Sequence, residues 1–249
     1  MNSSSKNFSI NYMPVLIGHE RHYVPEYAAH RPACARVLKG AYHEPDTHRV
    51  VHDIFKLVPG NLIHAGTFFG DMLPSFSRSV GNGRVYAFEP VLENYVLARM
   101  TTEANFLSNV ILFNAALGDA VGTAQIATVG ADGLHRGGSS QIAERGQICT
   151  ILALDTLAIP DVTLIQLDVE GYELQALRGA QAILANQKPV VMAEDNLRNC
   201  EGFMQQVGYE HIGSIPGLQI YLPLDETAPA RRIMGRIALS TQASLPDAF

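Results

Sequence analysis

The chain has 249 residues, of which 47% are hydrophobic and 17% are charged, and its formal net charge is −6 at pH 7. This composition excludes disordered and fibrous proteins, and this length is enough for one large domain or two small ones. Because the charge is negative and no basic block occurs, nucleic acid is not expected as a partner. Three widely spaced cysteines, Cys34, Cys149 and Cys200, match neither a disulfide framework nor a zinc site.

The sequence contains no signal for export or for membrane insertion. Its N-terminus lacks a long apolar core after a basic start, and no run of about 18 uninterrupted apolar residues occurs. We therefore predict a cytoplasmic protein without a membrane span. Residues 1–45 are interpreted as an N-terminal arm or cap that begins with a loose arm over 1–20, residues 46–225 as the main domain, and residues 226–249 as a frayed tail of low apolar content.

The first half of the main domain alternates helices with short strands. The predicted elements are a helix over residues 45–57, a strand over 61–65, a glycine turn over 66–70, a helix over 71–80, a strand over 84–89, a helix over 91–105 and a strand over 110–114. The third of these helices is predicted to bury an apolar face formed by Leu92, Tyr95, Val96 and Met100.

The second half continues the alternation and then ends differently. It is predicted to contain a Gly-, Ala- and Ser-rich excursion over 118–146, a strand over 164–167, a helix over 173–185, a strand over 189–193, a short helix over 201–207 and strands over 209–215 and 218–222. Excursions this long are often functional lids. Because only Pro216 and Gly217 separate the last two strands, they must pair antiparallel. We therefore predict an α/β fold, with a doubly wound, mostly parallel sheet closed by a C-terminal antiparallel β-hairpin.

Two features at predicted strand ends suggest a site for a nucleoside. Gly66 and Gly70 frame the turn after the first strand, where backbone N–H groups can approach a ligand near a helix N-terminus. Only Gly-x-x-x-Gly is present, whereas the dinucleotide fingerprint requires Gly-x-Gly-x-x-Gly. Glu89 ends the second strand about 20 residues further on, where a carboxylate accepts hydrogen bonds from ribose hydroxyls. The alternative is an acid that caps the next helix beside Pro90. Both NAD and S-adenosylmethionine carry such a ribose.

Six segments of the chain resemble the FkbM family of S-adenosylmethionine-dependent methyltransferases, over about residues 42–194. They are NLIHAGTFFGD (61–71), VYAFEP (85–90), VILFNAALGD (110–119), GGSS (137–140), LIQLDVEGYELQALRGA (164–180) and VVMAED (190–195). The phrase LDVEGYELQALRGA is the most specific. The resemblance implies a class I methyltransferase (Rossmann-like) fold, S-adenosylmethionine as cofactor, and methyl transfer to a hydroxyl of a sugar, glycan or natural product.

The resemblance also implies roles for individual residues. The cofactor-binding candidates are Glu44, His64, Gly66, Thr67, Phe68, Gly70, Glu89, Pro90, Asn114, Ala115, Ala116 and Asp168. Asp168, at the end of the fourth strand, is a candidate general base or charge partner, and Glu170 could do either job or cap the next helix. His135, in the Gly-rich excursion, is the third catalytic candidate, with a solvated loop as the alternative.

A divalent cation enters by analogy with related small-molecule O-methyltransferases. Asp168 with Glu194 and Asp195 would supply hard oxygen ligands suited to Mg²⁺, and acids at ordinary strand ends are the alternative.

Two positions depart from the family pattern. The family usually has an acid where this chain has His64, and a small polar residue where it has Phe68. Loss of the acid leaves weaker binding, a substituted hydrogen bond from the imidazole, or an inactive copy. The proton state of His64 could make cofactor binding sensitive to pH near neutrality, unless it is a satisfied core histidine.

The favoured function is O-methylation of a small-molecule hydroxyl. A nicotinamide-dependent oxidoreductase is the second candidate, disfavoured by the missing third glycine and the terminal hairpin. A catalytically degenerate binding module is the third, motivated by His64 and Phe68. A homodimer is the base-rate expectation for the assembly.

Overall fold

The computed structural model describes residues 9–237. Its strands are β1 (Tyr12–Ile17), β2 (Glu20–Pro25), β3 (Asn61–Ala65), β4 (Val85–Phe88), β5 (Val110–Phe113), β6 (Ala116–Leu117), β7 (Gly122–Ala127), β8 (Gln141–Ala143), β9 (Gln147–Leu152), β10 (Val162–Leu167), β11 (Val190–Ala193), β12 (Tyr209–Ile215) and β13 (Leu218–Pro223). Its α-helices are α1 (Pro32–Leu38), α2 (Pro45–Leu57), α3 (Leu73–Ser79), α4 (Leu92–Ala104), α5 (Glu173–Arg178), α6 (Gln181–Asn186) and α7 (Glu201–Gln206). Short 3₁₀ helices cover Glu26–Ala28, Gly137–Ser139, Leu154–Leu157 and Pro229–Ile233.

Seven strands form the main sheet in the order β12-β13-β11-β10-β3-β4-β5. The pairs from β11 to β5 are parallel, whereas β13 runs antiparallel to both β11 and β12. Every residue of β3, β10, β11 and β13 is buried, because these strands are covered on both faces and carry near-continuous apolar runs. The sheet confirms the predicted fold class, including the terminal antiparallel hairpin.

Helices cover both faces of this sheet. On one face α2, α3 and α4 pack over a core that includes Ile54, Leu62 and Phe76. On the other face α5, α6 and α7 pack over a second core that includes Ile165 and Leu177. Within residues 9–237, no helix is both long and apolar enough to cross a bilayer.

Two parts of the chain add to the main sheet. The Gly-rich excursion contributes β7 and β8 to a small four-stranded sheet, which has the order β6-β9-β7-β8. The N-terminal strands β1 and β2 form an antiparallel hairpin, and with α1 they pack against Phe68, Phe69 and Leu97. The prediction of a loose arm over residues 1–20 is therefore wrong for β1, whereas residues 1–8 lie outside the described part of the chain.

Three local predictions need correction. In α4 the buried residues are Asn94, Leu97, Ala98 and Thr101, whereas Leu92 is 45% exposed. The helix predicted over residues 173–185 is divided into α5 and α6, because the backbone turns at Gly179. The frayed tail is wrong for residues 229–237, where Ala230, Ile233 and Ile237 pack into the main core; residues 238–249 lie outside the described part.

The break between α5 and α6 has a packing cause. A Cβ at Gly179 would lie 2.0 Å from the carbonyl oxygen of Gly118, so the backbones approach too closely for a side chain. The Gly179 carbonyl accepts a hydrogen bond from the Asp155 N–H at 2.8 Å. The Asp155 carboxylate in turn accepts from the N–H groups of Ala182 and Ile183 at 2.8 and 3.0 Å. Asp155 thus starts α6 as a new helix.

Candidate active site

The carboxyl ends of the parallel strands meet at one edge of the main sheet and wall two adjoining cavities. The first, here called the apolar cleft, is lined by Ala65, Gly66, Phe88, Glu89, Pro90, Ala115, Ala116, Leu117, Ile126, Gly138, Ser140, Ile142, Asp168, Val169 and Tyr172. The second, here called the acidic cavity, has a volume of about 270 Å³ and is lined by Arg31, Pro32, Ala33, His43, Glu44, His64, Gly66, Phe68, Asp71, Met72, Gly138, Ser139, Gln166, Asp168, Glu170 and Glu194. Gly66, Gly138 and Asp168 belong to both.

Glu89 follows β4, lines the apolar cleft and is 4% exposed. One carboxylate oxygen accepts hydrogen bonds from the Val91 N–H at 2.9 Å and from Asn94 Nδ2 at 3.3 Å. The other accepts from the Phe68 N–H at 2.8 Å. Burial raises the pKa of Glu89 to about 7, against the lowering effect of these donors. The side chain is therefore held in one orientation by both neighbouring loops.

The turn after β3 is shaped by its first glycine. Gly66 has φ +90°, and a Cβ there would lie 1.8 Å from the carbonyl oxygen of Asp168. The Asp168 N–H donates to the Ala65 carbonyl at 3.0 Å, so the ends of β3 and β10 are joined directly beside this glycine. The N–H groups of Gly66 and Thr67 both donate to the Phe88 carbonyl at 3.2 Å. Only glycine satisfies this close approach of two strand ends.

The loop after β5 is braced by Asn114. Its Nδ2 donates to the carbonyls of Glu89 at 2.9 Å and Pro90 at 3.2 Å. This brace fixes the two strand-end loops against each other, and Ala115 and Ala116 then form part of the cleft wall. Asn114 therefore shapes the cleft indirectly, because it positions the backbone of Glu89 and Pro90.

His64 points from β3 toward the acidic cavity and is 2% exposed. Its Nδ1 bonds to Oε1 of Gln166 on the adjacent strand. An amide oxygen only accepts, so Nδ1 carries the proton and Nε2 presents a lone pair. Within residues 9–237, this Nε2 has no hydrogen-bond partner. Burial lowers the pKa of His64 to about 4, so the predicted change of charge near neutral pH is wrong.

Three carboxyl groups meet where the two cavities join. In the described part of the chain, the group that could hold a metal ion is Asp168, Glu170 and Glu194, whose oxygens lie within 4.8 Å of one another. Burial and the negative charge of Glu194 raise the pKa of Asp168 well above its usual range, and raise that of Glu170.

Asp195 is not part of this cluster, which corrects one member of the predicted metal set. Its two carboxylate oxygens accept hydrogen bonds from the N–H groups of Asn199 and Cys200, each at 2.7 Å. Glu170 takes its place among the three clustered acids. Glu173, the first residue of α5, braces the loop before the helix, because its Oε1 accepts hydrogen bonds from the Val169 and Gly171 N–H groups at 3.0 and 3.2 Å.

Three residues that line the acidic cavity have left-handed backbone conformations. Glu44, Phe68 and Glu170 all line it, and their φ angles are +48°, +50° and +56°. Non-glycine residues adopt this left-handed region at a cost, and such residues cluster at functional sites. Glu44 and Glu170 thus combine a strained backbone with a carboxyl group at the cavity.

Several predicted site residues lie elsewhere. Gly70, at φ +81°, packs against the Cα of Ala98 in α4, where a Cβ would lie 3.0 Å away. Thr67 is 1% exposed, and its hydroxyl has no hydrogen-bond partner within residues 9–237. His135 lines a third cavity, where its ring lies 4.3 Å from that of Tyr27. The structure therefore does not bring His135 to the acid cluster.

Sequence reasoning also missed some lining residues. Tyr172 and Asp71 stand inside the quoted phrases LDVEGYE and GTFFGD, so those motifs contained the signal. Arg31, which lines the acidic cavity, gave no signal, because the segment before α2 shows no clear period.

The chain is similar to known methyltransferases in sequence and in fold. A family model described as the methyltransferase FkbM domain matches residues 64–211, more than half of the chain. The structure of methyltransferase FkbM from Methylobacillus flagellatus KT is 20% identical, with a TM-score of 0.48, over 66% of this chain and 43% of that one. A methyltransferase from Geobacter sulfurreducens is 13% identical, with a TM-score of 0.48, over 74% of this chain and 81% of that one. A precorrin-6y C5,15-methyltransferase from Geobacter metallireducens GS-15 is 16% identical, with a TM-score of 0.45, over 71% and 86%.

The chain thus spans less than half the length of the Methylobacillus protein. No curated protein matches the chain.

Proposed function

Since the chain belongs to the FkbM family of S-adenosylmethionine-dependent methyltransferases, we propose that it transfers the cofactor's methyl group to a hydroxyl of a small molecule or glycan. One observation carries this proposal: Glu89 and the acid cluster around Asp168 lie in two cavities that adjoin at Gly66. A nucleoside in the apolar cleft would therefore direct its reactive end into the acidic cavity.

The lining of the cleft supports a position for the adenosine. Glu89 would accept hydrogen bonds from the ribose hydroxyls, and its ionised form is the better acceptor. Pro90, Ala115 and Ile142 would cover the adenine with apolar surface. The methionine end would cross Gly66, where the absent side chain leaves room beside the backbone.

His64 offers a replacement for the acid that the family usually has at this position. Its free Nε2 lone pair can accept a hydrogen bond from the amino group of the methionine end. Because His64 stays neutral, this contact is weaker than a contact with a carboxylate but does not change between about pH 5.5 and 8.

The acid cluster is suited to handle the acceptor's proton. When bound, the cofactor supplies a methyl group already activated by its sulfonium, so alignment and exclusion of water are the main tasks. Asp168 would accept the proton of the hydroxyl, and its raised pKa brings it toward the range useful for a general base. Glu170 and Glu194 would orient the hydroxyl and share the charge.

The Mg²⁺ predicted from the sequence stays a proposal with a changed ligand set. Asp168, Glu170 and Glu194 offer three hard oxygen ligands in reach of one another. Turnover should be measured in EDTA and again after addition of MgCl₂. Recovery of activity with Mg²⁺ would support the ion, and unchanged turnover in chelator would remove it.

The experiment that tests the proposed function has two parts. Calorimetry with S-adenosylmethionine, S-adenosylhomocysteine and NAD separates a methyltransferase from the nicotinamide-dependent alternative, and we expect binding of the first two only. Formation of S-adenosylhomocysteine over a panel of sugars and polyols then tests turnover. Binding without turnover on any acceptor would favour the degenerate binding module.

The cytoplasmic location and the homodimer remain predictions. Light scattering tests whether the protein is a homodimer.

A further inference from the structure

The N-terminal unit, here residues 12–38, comprises β1, β2, the 3₁₀ helix Glu26–Ala28 and α1. We propose that Asn94 is a positioning residue through which this unit holds the carboxylate of Glu89, by a chain of hydrogen bonds that begins at Tyr27. This inference rests on the proposed function, because it assumes that Glu89 binds the ribose of the cofactor. It predicts that a residue outside the apolar cleft determines cofactor affinity, which the family assignment does not.

Asn94 lies in α4, is 1% exposed and has a partner for each polar group of its side chain. Its Nδ2 donates hydrogen bonds to Oε1 of Glu89 at 3.3 Å and to the Gly137 carbonyl at 3.4 Å. Its Oδ1 accepts from the Tyr27 hydroxyl at 2.7 Å. The reverse orientation of the amide would place its oxygen against a carboxylate and a carbonyl, which only accept. The partners of Asn94 therefore fix its orientation.

These partners belong to segments that are distant in the sequence. Tyr27 lies in the 3₁₀ helix of the N-terminal unit, Glu89 follows β4, and Gly137 begins the 3₁₀ helix of the Gly-rich excursion. The excursion and the N-terminal unit are in close contact there, because a Cβ at Gly137 would lie 2.8 Å from the Cβ of Ala28. Asn94 thus ties both segments to the acid proposed to bind the ribose.

The carboxylate of Glu89 is held by three donors, and Asn94 is the one of these three that is a side chain. The Phe68 N–H donates to Oε2, whereas the Val91 N–H and Asn94 donate to Oε1. Burial raises the pKa of Glu89, and the hydrogen bond from Asn94 acts against this by favouring the ionised form. Loss of Asn94 should therefore release the carboxylate and disfavour its ionised form.

The pH dependence of cofactor binding can report this effect at Glu89. The other titratable side chains that share the apolar cleft with Glu89, or that interact with Glu89 or Tyr27, are Cys34, Glu93, His135, Cys149, Asp168 and Tyr172. Burial raises the pKa of Tyr27, so its hydroxyl stays neutral between pH 6 and pH 9. Substitution of Tyr27 or Asn94 leaves the other groups in place, so a changed pH profile would indicate a change at Glu89.

Two substitutions break the chain at different bonds. Asn94→Ala removes the amide, whereas Tyr27→Phe removes only the hydroxyl and leaves the buried Asn94 oxygen without its donor. Tyr42→Phe is the matched control, because the Tyr42 hydroxyl also donates to the N-terminal unit, to Oε2 of Glu20 at 2.8 Å. Among the described residues, neither cavity has Tyr42 or Glu20 in its lining.

The full-length protein should be titrated with S-adenosylhomocysteine by calorimetry from pH 6 to pH 9. At pH 7 we expect about tenfold weaker binding for Asn94→Ala and about three- to tenfold weaker binding for Tyr27→Phe. In both variants the midpoint of the pH dependence should move upward, whereas Tyr42→Phe should match wild type. Tyr27→Phe should also raise the KM for S-adenosylmethionine and leave kcat within about twofold of wild type.

A double substitution tests whether Tyr27 acts through Asn94. In the Asn94→Ala background, Tyr27→Phe should cause no further loss of affinity, because the bond that transmits its effect is already absent. A loss as large as in wild type would overturn the inference. If Asn94→Ala does not fold, as judged by circular dichroism, Tyr27→Phe decides alone, and an unchanged pH midpoint would overturn the inference.

The outcomes separate this inference from the proposed function. Failure of wild-type protein to bind S-adenosylhomocysteine would contradict the proposed function itself. Wild-type binding together with unchanged affinity in Asn94→Ala and Tyr27→Phe would overturn only the inference. Equal weakening by Tyr42→Phe and Tyr27→Phe would also overturn it, because general loosening of the N-terminal unit would then explain the effect.

Discussion

Glu89 is the side chain on which recognition of the nucleoside depends most. Burial raises its pKa to about 7, so below that pH the carboxyl group is largely protonated. Ribose hydroxyls donate best to the ionised form, so cofactor binding favours loss of this proton. We therefore predict that affinity for S-adenosylhomocysteine rises about tenfold between pH 6 and pH 8. Calorimetry at both values measures it, and an affinity that falls with pH would contradict the assignment.

The same carboxyl group should influence stability with the opposite sign. Because the folded-state pKa is raised above the ordinary 4.5, the unfolded chain loses this proton first as the pH increases. The stabilisation from the neutral form is complete below about pH 4.5 and is lost as the pH rises through about 7. Glu89 should therefore contribute more to the free energy of unfolding of the unliganded protein at pH 5 than at pH 8. Chemical denaturation of wild type and Glu89→Gln at both pH values measures this contribution.

Asp168 is the acid expected to act on the acceptor. Asp168→Asn keeps the size of the side chain but removes the base, so we predict that kcat falls by about 10²–10⁴-fold. The KM for S-adenosylmethionine should change much less, because Asn keeps the shape of the cleft wall at this position and Glu89 is unchanged. Steady-state kinetics give both values, and a kcat within a few-fold of wild type would contradict this role.

The positions of site residues could be predicted from the sequence where a motif lies at a strand end, but their protonation could not, because it depends on burial. Glu89 and Asp168 were identified from strand ends and lie in the predicted places. The expected titration of His64 was wrong, because no sequence pattern reports that a strand residue is 2% exposed and tied to Gln166. Asp195 and Glu194 are adjacent in sequence, and only the structure distinguishes which one faces the cavity.

At the scale of elements, the turn after β3 holds the two cavities together. Gly66→Ala would place a Cβ 1.8 Å from the Asp168 carbonyl oxygen and force β3 and β10 apart. We predict a loss of more than about 3 kcal/mol in the free energy of unfolding, together with loss of S-adenosylhomocysteine binding. Chemical denaturation and calorimetry measure the two effects.

A substitution at a second glycine distinguishes the effect of a steric clash from the effect of backbone strain. Gly208 has φ +82°, close to the +90° of Gly66, but a Cβ there would meet nothing within 4 Å. Gly208→Ala should therefore cost only about 1–2 kcal/mol, the price of the left-handed conformation. If the two variants were equally stable, close approach to Asp168 would not be the reason for glycine at position 66.

The helix α4 illustrates why some element faces could not be predicted. Its buried face contains Asn94 and Thr101, which bond to Glu89 and to the Phe69 carbonyl respectively. A hydrophobic-periodicity argument assigns polar residues to solvent, so it chose the face with Leu92 instead. Buried polar side chains that serve the site are invisible to such a pattern.

At the scale of the whole molecule, the segment after β13 contributes to the main core. Ile233 is 2% exposed and packs with residues of the helical layer, whereas the next residue, Met234, is 44% exposed. Ile233→Ala should lower the free energy of unfolding by about 2–5 kcal/mol. Met234→Ala should change it by no more than about 0.5 kcal/mol. Equal effects of the two variants in denaturant titrations would contradict the packing of this segment.

The main sheet could be predicted from the sequence, whereas the N-terminal hairpin could not. The alternation of strands and helices and the short Pro216-Gly217 link were enough to predict a parallel sheet with a terminal antiparallel hairpin. The N-terminal hairpin was missed because its strands mix Pro, His and Arg with apolar residues and lack a clean alternation. Arg31, which precedes α1 and lines the acidic cavity, lies in the same N-terminal region without a clear period, so the acceptor side of the site was the least predictable part.

The central claim is that Glu89 holds the ribose of a nucleoside cofactor at the carboxyl edge of the sheet. The most direct test is calorimetry of S-adenosylhomocysteine at pH 8 with wild type, Glu89→Gln and the surface control Glu103→Gln. A charged hydrogen bond contributes about 1.5–3 kcal/mol, so Glu89→Gln should bind at least about tenfold more weakly, and Glu103→Gln should match wild type. Wild-type protein that does not bind S-adenosylhomocysteine, or Glu89→Gln that binds it equally well, would contradict the account.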